Sequence, residues 1–187
     1  MCSVICCRLL SAYGVRYTAH YFVIILAMNE FSSPVTQTLD TLDIPYRIFS
    51  HPGPIKSLEQ AARERGQEPG QVVRSLLFRL SADNFVMALM AGPEQVDWKT
   101  LRRTLGEKRL TTAGEEEMLR VTGYPRGAVS PLGLPQPLRI LADPSVFEPE
   151  EISIGSGVRG ITVILKSADL DRALPQVEIV PLGARAE

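Results

Sequence analysis

Cysteine is confined to the first seven residues of this 187-residue chain, as Cys2, Cys6 and Cys7. From residue 8 onward there is no thiol for a disulfide framework, a cysteine-based metal site or a cysteine nucleophile. Histidine is nearly as scarce, with only His20 and His51. A zinc centre or a Cys/His catalytic pair has almost no inventory to draw on, so no metal and no other cofactor is expected. Long apolar runs are missing too. The run YFVIILAM at 21–28 falls far short of the roughly 20 residues needed to span a bilayer, and no membrane is expected as a partner. Nor does one sign of charge dominate: 20 Lys and Arg face 21 Asp and Glu, a net charge of −1. That excludes a protein that coats nucleic acid through charge alone, while leaving room for one that holds a single RNA end.

What is present reads as one globular domain. Hydrophobic residues make up 45% and charged residues 22%, an ordinary soluble balance, and the length suffices for a sizeable core. Residues 1–27 lack the polar patterning of the rest. Arg8, Arg16 and His20 scatter through them and no clean small-residue cleavage site follows, so a signal peptide is the poorer reading. The expectation is a non-domain extension over 1–27, with translation starting at Met28, and a domain over 28–187 located in the cytoplasm.

Along that domain, Ser33-Pro34 predicts a helix start and Ile44-Pro45 its end. YRIF (46–49) reads as a short strand, and Ser57 caps SLEQAARERG, with Gln60 in capping-box position and Gly66 as terminator. Strands over 72–80 and 85–91 flank a turn at Ala82-Asp83-Asn84 and form a hairpin. Asp97 caps a helix with a basic side of Lys99, Arg102 and Arg103, and Thr112 is expected to cap AGEEEMLRVTG. LRILAD, ISIG, ITVILK and VEIV supply further strands, and Ser167 is expected to cap ADLDRAL. Interleaved helices and hairpins predict a mixed α/β fold: a central, partly antiparallel sheet surrounded by helices.

The strand QVVRSLLFRL (71–80) raises a question. With a period of two, Arg74 shares a face with Val72, Leu76, Phe78 and Leu80. An unpaired buried charge costs several kcal/mol, roughly, so Arg74 is either an ion-pair member or an anion anchor in a cleft. Two glycine-rich loops are the other candidates: GYPRGAVSPLG (123–133), holding Gly127, Ala128, Ser130 and Pro131, and GSGVRG (155–160), holding Gly155, Gly157 and Arg159. Neither has the following Lys-Ser/Thr of a P-loop or opens a helix as GxGxxG does. They are tight turns or ligand cradles. His51 before Pro52 is a turn or packing residue or part of a site. Asp143 before Pro144 is an Asx-turn residue or a cleft wall. The basic helix is a solvated face or a phosphate track.

Taken together these pieces resemble a family. His51-Pro52 after a short strand, the Ala61-Ala62 helix, QVVRSLLF, TGYPRGAVSPLG, a strand ending at Asp143, and GSGVRG leading to a strand and Asp169-Leu170 occur in the order of the YbaK/prolyl-tRNA-editing family of free-standing aminoacyl-tRNA deacylases. The resemblance covers roughly the last 160 residues and implies the same mixed sheet ringed by helices. It implies that Arg74 stands where the family typically has a lysine that holds the 3′ end or the aminoacyl group. It further implies that Gly127 is a functionally important glycine, within a loop running to Pro131. Gly155 and Thr162 replace a serine and an aspartate often found in the cysteinyl-specific members.

The implied activity is hydrolysis of a small mischarged amino acid of the Ala, Cys or Ser type from tRNA, with tRNA(Pro) first in line. Arg74 and the amides of Gly127 and Ala128 would then be catalytic. His51, Ser130, Pro131, Asp143, Gly155, Gly157, Arg159 and Thr162 would bind substrate. The acceptor end of an aminoacyl-tRNA is the expected partner, an aminoacyl-tRNA synthetase a second one, and oligomeric state is left open. Two other classes compete: a catalytically silent module that binds tRNA ends, and a small-molecule ester hydrolase.

Overall fold

The computed structural model describes residues 31–183. The expectations for residues 1–27 and for a start at Met28 lie outside the described residues. The first described helix, α1 (Pro34–Thr41), starts as its sequence dictates: the Ser33 hydroxyl accepts from the Thr36 N–H, the Thr36 hydroxyl accepts from the Ser33 N–H, and Pro34 needs no donor at the first position. Asp43, at φ 52°, turns the chain out of it toward β1 (Arg47–Ser50). In α2 (Leu58–Glu64), Ser57 accepts from the Gln60 N–H, but the Gln60 side chain reaches the Lys56 N–H rather than that of Ser57, so the reciprocal box is not closed.

After a 3-10 turn at Pro69–Gln71, the predicted hairpin appears as β2 (Val73–Ser81) and β3 (Asn84–Ala91), antiparallel from Val73–Ala91 to Ser81–Asn84. Residues 85–91 of β3 are all buried. That is why NFVMALMA shows no alternation: the strand is paired on both edges and covered on both faces. Asp97 caps α3 (Trp98–Leu105) through the N–H groups of Lys99 and Thr100.

Thr111–Thr112 is not a cap. It forms a two-residue strand, β4, against Phe78 and Arg79 of β2, and Gly114 takes the N-cap of α4 (Glu115–Thr122). Backbone pairing with the open edge of β2 at Phe78 and Arg79 takes up this segment and outweighs the local capping preference of threonine. Likewise Ser167 is the first residue of α5 (Ser167–Ala173), with Lys166 at its N-cap. The remaining strands are β5 (Arg139–Ala142), β6 (Glu151–Gly155), β7 (Ile161–Lys166) and β8 (Glu178–Ile179).

The mixed α/β class is observed, with the strands divided between two sheets. One holds five strands in the order β4-β2-β3-β5-β8, antiparallel through β3 and parallel beyond it; the other is antiparallel, β1-β7-β6. A single parallel bridge, Val72–Ser153, links them. Two apolar clusters cover opposite faces of the β2–β3 ribbon. Val73, Leu77, Met87 and Leu89 join Ile154, Val129 and Met118 in the larger, whereas Phe78, Val86, Ala88 and Met90 join Leu101 of α3 in the smaller. Among the described residues, no helix is long and apolar enough to cross a membrane.

Candidate active site

On one edge β2 is paired with β3, but on the other, among the described residues, it has only Phe78 and Arg79 against β4, the Ala113 N–H on the Leu77 carbonyl and the Val72–Ser153 bridge. Between those points the edge is open, and a cavity of about 460 Å³ occupies the gap. Its walls are residues 55–58 ahead of α2, Ala61 and Arg65 of that helix region, residues 72–77, the 126–129 loop, the end of β6 and the start of β7. Four cationic residues line it, Lys56, Arg65, Arg74 and Arg126, and no carboxylate does. In a chain with nearly balanced charge, this concentrates positive potential in one hollow.

Gly155 sets how closely the two glycine loops meet. A Cβ at this position would lie 2.3 Å from the Val129 carbonyl oxygen and 2.6 Å from that of Ala128. The Gly157 N–H donates to the Ala128 carbonyl at 2.9 Å, and the Arg159 Nε donates to the Arg126 carbonyl at 3.0 Å. These contacts fix the 126–129 loop in place. Within it, the Ala128 N–H donates to the Pro125 carbonyl at 3.0 Å and Ala128 is buried behind the cavity wall. The expectation that this amide serves a bound oxygen is therefore corrected: the turn that shapes the loop consumes it. Gly127 (φ 86°) and Val129 line the cavity, and their N–H groups have no hydrogen-bond partner among the described residues.

Arg74 borders the cavity on the face of β2 that carries Phe78, while Ser75 lies on the face of Val73 and Leu77. The Arg74 Nη2 donates to the backbone carbonyl of Glu94, its Nε is buried without a partner, and no carboxylate among the described residues pairs with it. Burial pulls its pKa down, with the Glu94 charge opposing; a guanidinium stays protonated regardless. The Ser75 Oγ, also in the wall, is buried and unpartnered.

His51 does not line the cavity but stands behind it. Its fully buried ring lies 2.6 Å from the Glu64 carboxylate through Nδ1 and 2.9 Å from the Arg65 Nη1 through Nε2. Arg65 has only donors, so Nε2 accepts and Nδ1 carries the hydrogen toward Glu64. The His51 bond holds the Glu64 carboxyl below its usual pKa, assisted by Gln60. Arg65 also donates to Gln67 at 3.0 Å and to Thr162 at 3.4 Å.

Of the residues singled out in the sequence, Arg74, Gly127, Gly155 and Thr162 line the cavity. Ser130 and Pro131 are buried outside its lining. Gly157 and Arg159 act on the loop as described, without lining the cavity. Asp143 lies elsewhere: its Oδ1 accepts from the N–H and hydroxyl of Ser145, and its Oδ2 from the N–H groups of Leu182 and Gly183 at 2.6 and 3.0 Å. It ties the C-terminal segment to the end of β5. The basic helix α3 packs through Leu101 on the sheet face opposite the cavity's apolar lining. Arg65, Glu64 and Ser75 went unnoticed in the sequence. Arg65 sits in a charged helix tail, RERG, that reads as solvated, and only the fold brings it to His51, fourteen positions earlier. Among the described residues, no group of three or more His, Cys, Asp or Glu is placed to hold a metal.

Comparison with known proteins gives this geometry a context. The family model of the aminoacyl-tRNA editing domain matches residues 52–173. A multifunctional Ser/Thr-tRNA deacylase, ProXp-y, of Escherichia coli K12 is 30% identical over 139 residues, covering 72% of this chain and 82% of that protein. A proline–tRNA ligase of Kosmotoga olearia is 32% identical over 113 residues, 60% of this chain but 19% of the ligase. A crystal structure described as a candidate trans-editing enzyme for prolyl tRNA synthetase superposes with a TM-score of 0.74 at 24% identity, covering 83% of this chain and all of that one.

Proposed function

We propose a substrate and a mechanism for this chain, which belongs to the aminoacyl-tRNA editing domain family. Membership makes it a hydrolase of the ester that joins an amino acid to tRNA. In our reading the ester carries a small, wrongly attached amino acid of the Ala, Cys, Ser or Thr size, on tRNA(Pro) in the first instance. The carrying observation is the cavity at the open edge of β2, lined by four cations and no carboxylate beside two unpaired amides. The substrate named for the E. coli relative supports including Ser and Thr. Similarity to a segment of proline–tRNA ligases supports a role beside the prolyl system. A net charge of −1 suits a protein that grips only the acceptor end while a synthetase holds the rest of the tRNA, in the cytoplasm.

An aminoacyl ester is already activated, so the cavity needs to position water and stabilise charge more than to supply acid or base. The N–H groups of Gly127 and Val129 face the developing oxyanion, a contribution of about 3–4 kcal/mol per donor in well-placed sites. Arg74 supplies a fixed positive charge at the strand edge, held by its Nη2 on the Glu94 carbonyl. Selection is by size, where one methylene is worth about 1–3 kcal/mol.

The test is a deacylation screen of Ala-, Cys-, Ser- and Thr-charged tRNA(Pro), with Pro-tRNA(Pro) as the cognate control. Release of one or more small amino acids, with the cognate spared, is expected. Binding of every charged tRNA without release would replace this reading with that of a silent end-binding module. Arg74→Ala should lower kcat/KM by about 100-fold; an unchanged rate removes Arg74 from the mechanism.

A further inference from the structure

The sequence motifs leave Arg65 unexplained. Its guanidinium is half-buried in the wall of a cavity that contains no carboxylate, and no acidic side chain among the described residues lies within ion-pair distance of it. Three neutral acceptors hold two of its three nitrogens: Gln67 Oε1 takes Nε, and His51 Nε2 with Thr162 Oγ1 takes Nη1. The third nitrogen, Nη2, is buried and has no partner. The guanidinium is fixed through two nitrogens, and the third is left with two N–H donors and no acceptor, a demand that one phosphate or carboxylate oxygen would meet.

The support behind Arg65 is ordered as well. His51 can accept from Arg65 only while its other nitrogen carries the hydrogen, and the Glu64 carboxylate at 2.6 Å from Nδ1 fixes that tautomer. Glu64 thus orients Arg65 through the His51 ring, and its charge also reaches the guanidinium without an ion-pair contact. The other cations of the cavity are less well prepared. Lys56 and Arg126 are exposed, and Arg74 already spends Nη2 on the Glu94 carbonyl.

We infer that Arg65 is the phosphate anchor of this site, taking a non-bridging oxygen of the terminal nucleotide, with Glu64 and His51 as its positioning residues. The assignment rests on the deacylase reading for the identity of that nucleotide as the 3′-terminal adenosine of a tRNA. It differs from the role of Arg74 and of the glycine loop: Arg65 acts on binding of the substrate's backbone and not on the ester.

Titration calorimetry of the full chain with adenosine 5′-monophosphate and with adenosine tests this without turnover. The wild-type protein is expected to bind the monophosphate at least about tenfold more tightly than the nucleoside, the worth of one charge-assisted hydrogen bond. Arg65→Gln should bring the two affinities together, and Glu64→Gln should reduce the preference severalfold with adenosine affinity unchanged. Arg65→Lys, which keeps the charge and the stem, should retain part of the preference and serves if the Gln variant does not fold. The inference is overturned if wild type shows no preference, or if the preference survives in Arg65→Gln or stays complete in Arg65→Lys. Failure of the deacylation screen with the preference intact and Arg65-dependent would sink the hydrolytic reading and spare the anchor. Deacylation without an Arg65-dependent preference would do the reverse.

Discussion

Replacing Gly155 with serine restores the residue type that the resemblance associates with cysteinyl-specific members, yet the structure argues that it should cripple the protein. An added Cβ would stand 2.3 Å from the Val129 carbonyl oxygen and 2.8 Å from the Ala128 carbonyl carbon. Both belong to backbone, so no side chain can swing aside. Clearing even 3.0 Å requires the loop or β6 to retreat by the difference from 2.3 Å, at least 0.7 Å. β6 is held by β7 along Glu151–Gly155, so the loop is the part that gives way, and it carries the Gly127 and Val129 amides. Overpacking of this kind costs about 1–3 kcal/mol of stability. A displacement approaching 1 Å at a site working by geometry costs about 100-fold in rate. Gly155→Ser and Gly155→Ala should therefore both lower the urea midpoint and both lose about two orders of magnitude in kcat/KM on whichever charged tRNA the wild type hydrolyses. The alanine variant separates crowding from chemistry, since it adds no hydroxyl. Wild-type stability and wild-type rate in Gly155→Ala would refute the argument that close backbone approach, and not the absence of a serine hydroxyl, explains this glycine.

Three further outcomes follow from polar groups outside the cavity. Asp143→Ala removes an acceptor of four hydrogen bonds and should destabilise the fold by about 3 kcal/mol in chemical denaturation, while leaving KM for the charged tRNA near its wild-type value because the residue is not in the cavity wall. Burial alone would raise the Asp143 pKa, but the Ser145 hydroxyl and the amides of Leu182, Ser145 and Gly183 bring it below the usual value. Its stabilising effect is thus complete above the ordinary carboxylate pKa of about 3.9 and lost as pH falls through the lower folded value, a step that Asp143→Asn should remove from the acid unfolding profile. At the alkaline end, burial pushes the Tyr124 phenol up to about 12. The unfolded chain releases that proton near 10, so stability should fall as pH rises from about 10 to about 12, and Tyr124→Phe should flatten that limb and remove a late tyrosinate absorbance.

Much of the fold was legible because local signals and tertiary demands agreed. Ser33, Ser57 and Asp97 cap helices where their spacing predicts, and ITVILK is a strand over its full predicted length. Thr112 and Ser167 were misplaced because capping preference is worth about 1 kcal/mol and yields to strand pairing or to a shift of one residue. The site was legible in part. Glycines at 127 and 155 announce close backbone approach in the sequence itself, and an arginine inside an apolar strand announces a polar neighbour. Arg65 and Ser75 announce nothing, because each is an ordinary residue in an ordinary element, and only the gap between two sheets makes a cavity wall of them. Asp143 carried two readings from its sequence; the count of backbone donors around its carboxylate decides for the turn and the C-terminal tether.

The unpaired stretch of β2 has one more consequence. Exposed strand edges invite a neighbouring molecule to add a strand and start aggregation. Here the vacant backbone between Val72 and Leu77 is bordered by α2, the 126–129 loop and the β7 entry, which crowd the path a neighbouring strand would need to take along it. The walls that make this edge a cavity also guard it against becoming an adhesive seam between molecules.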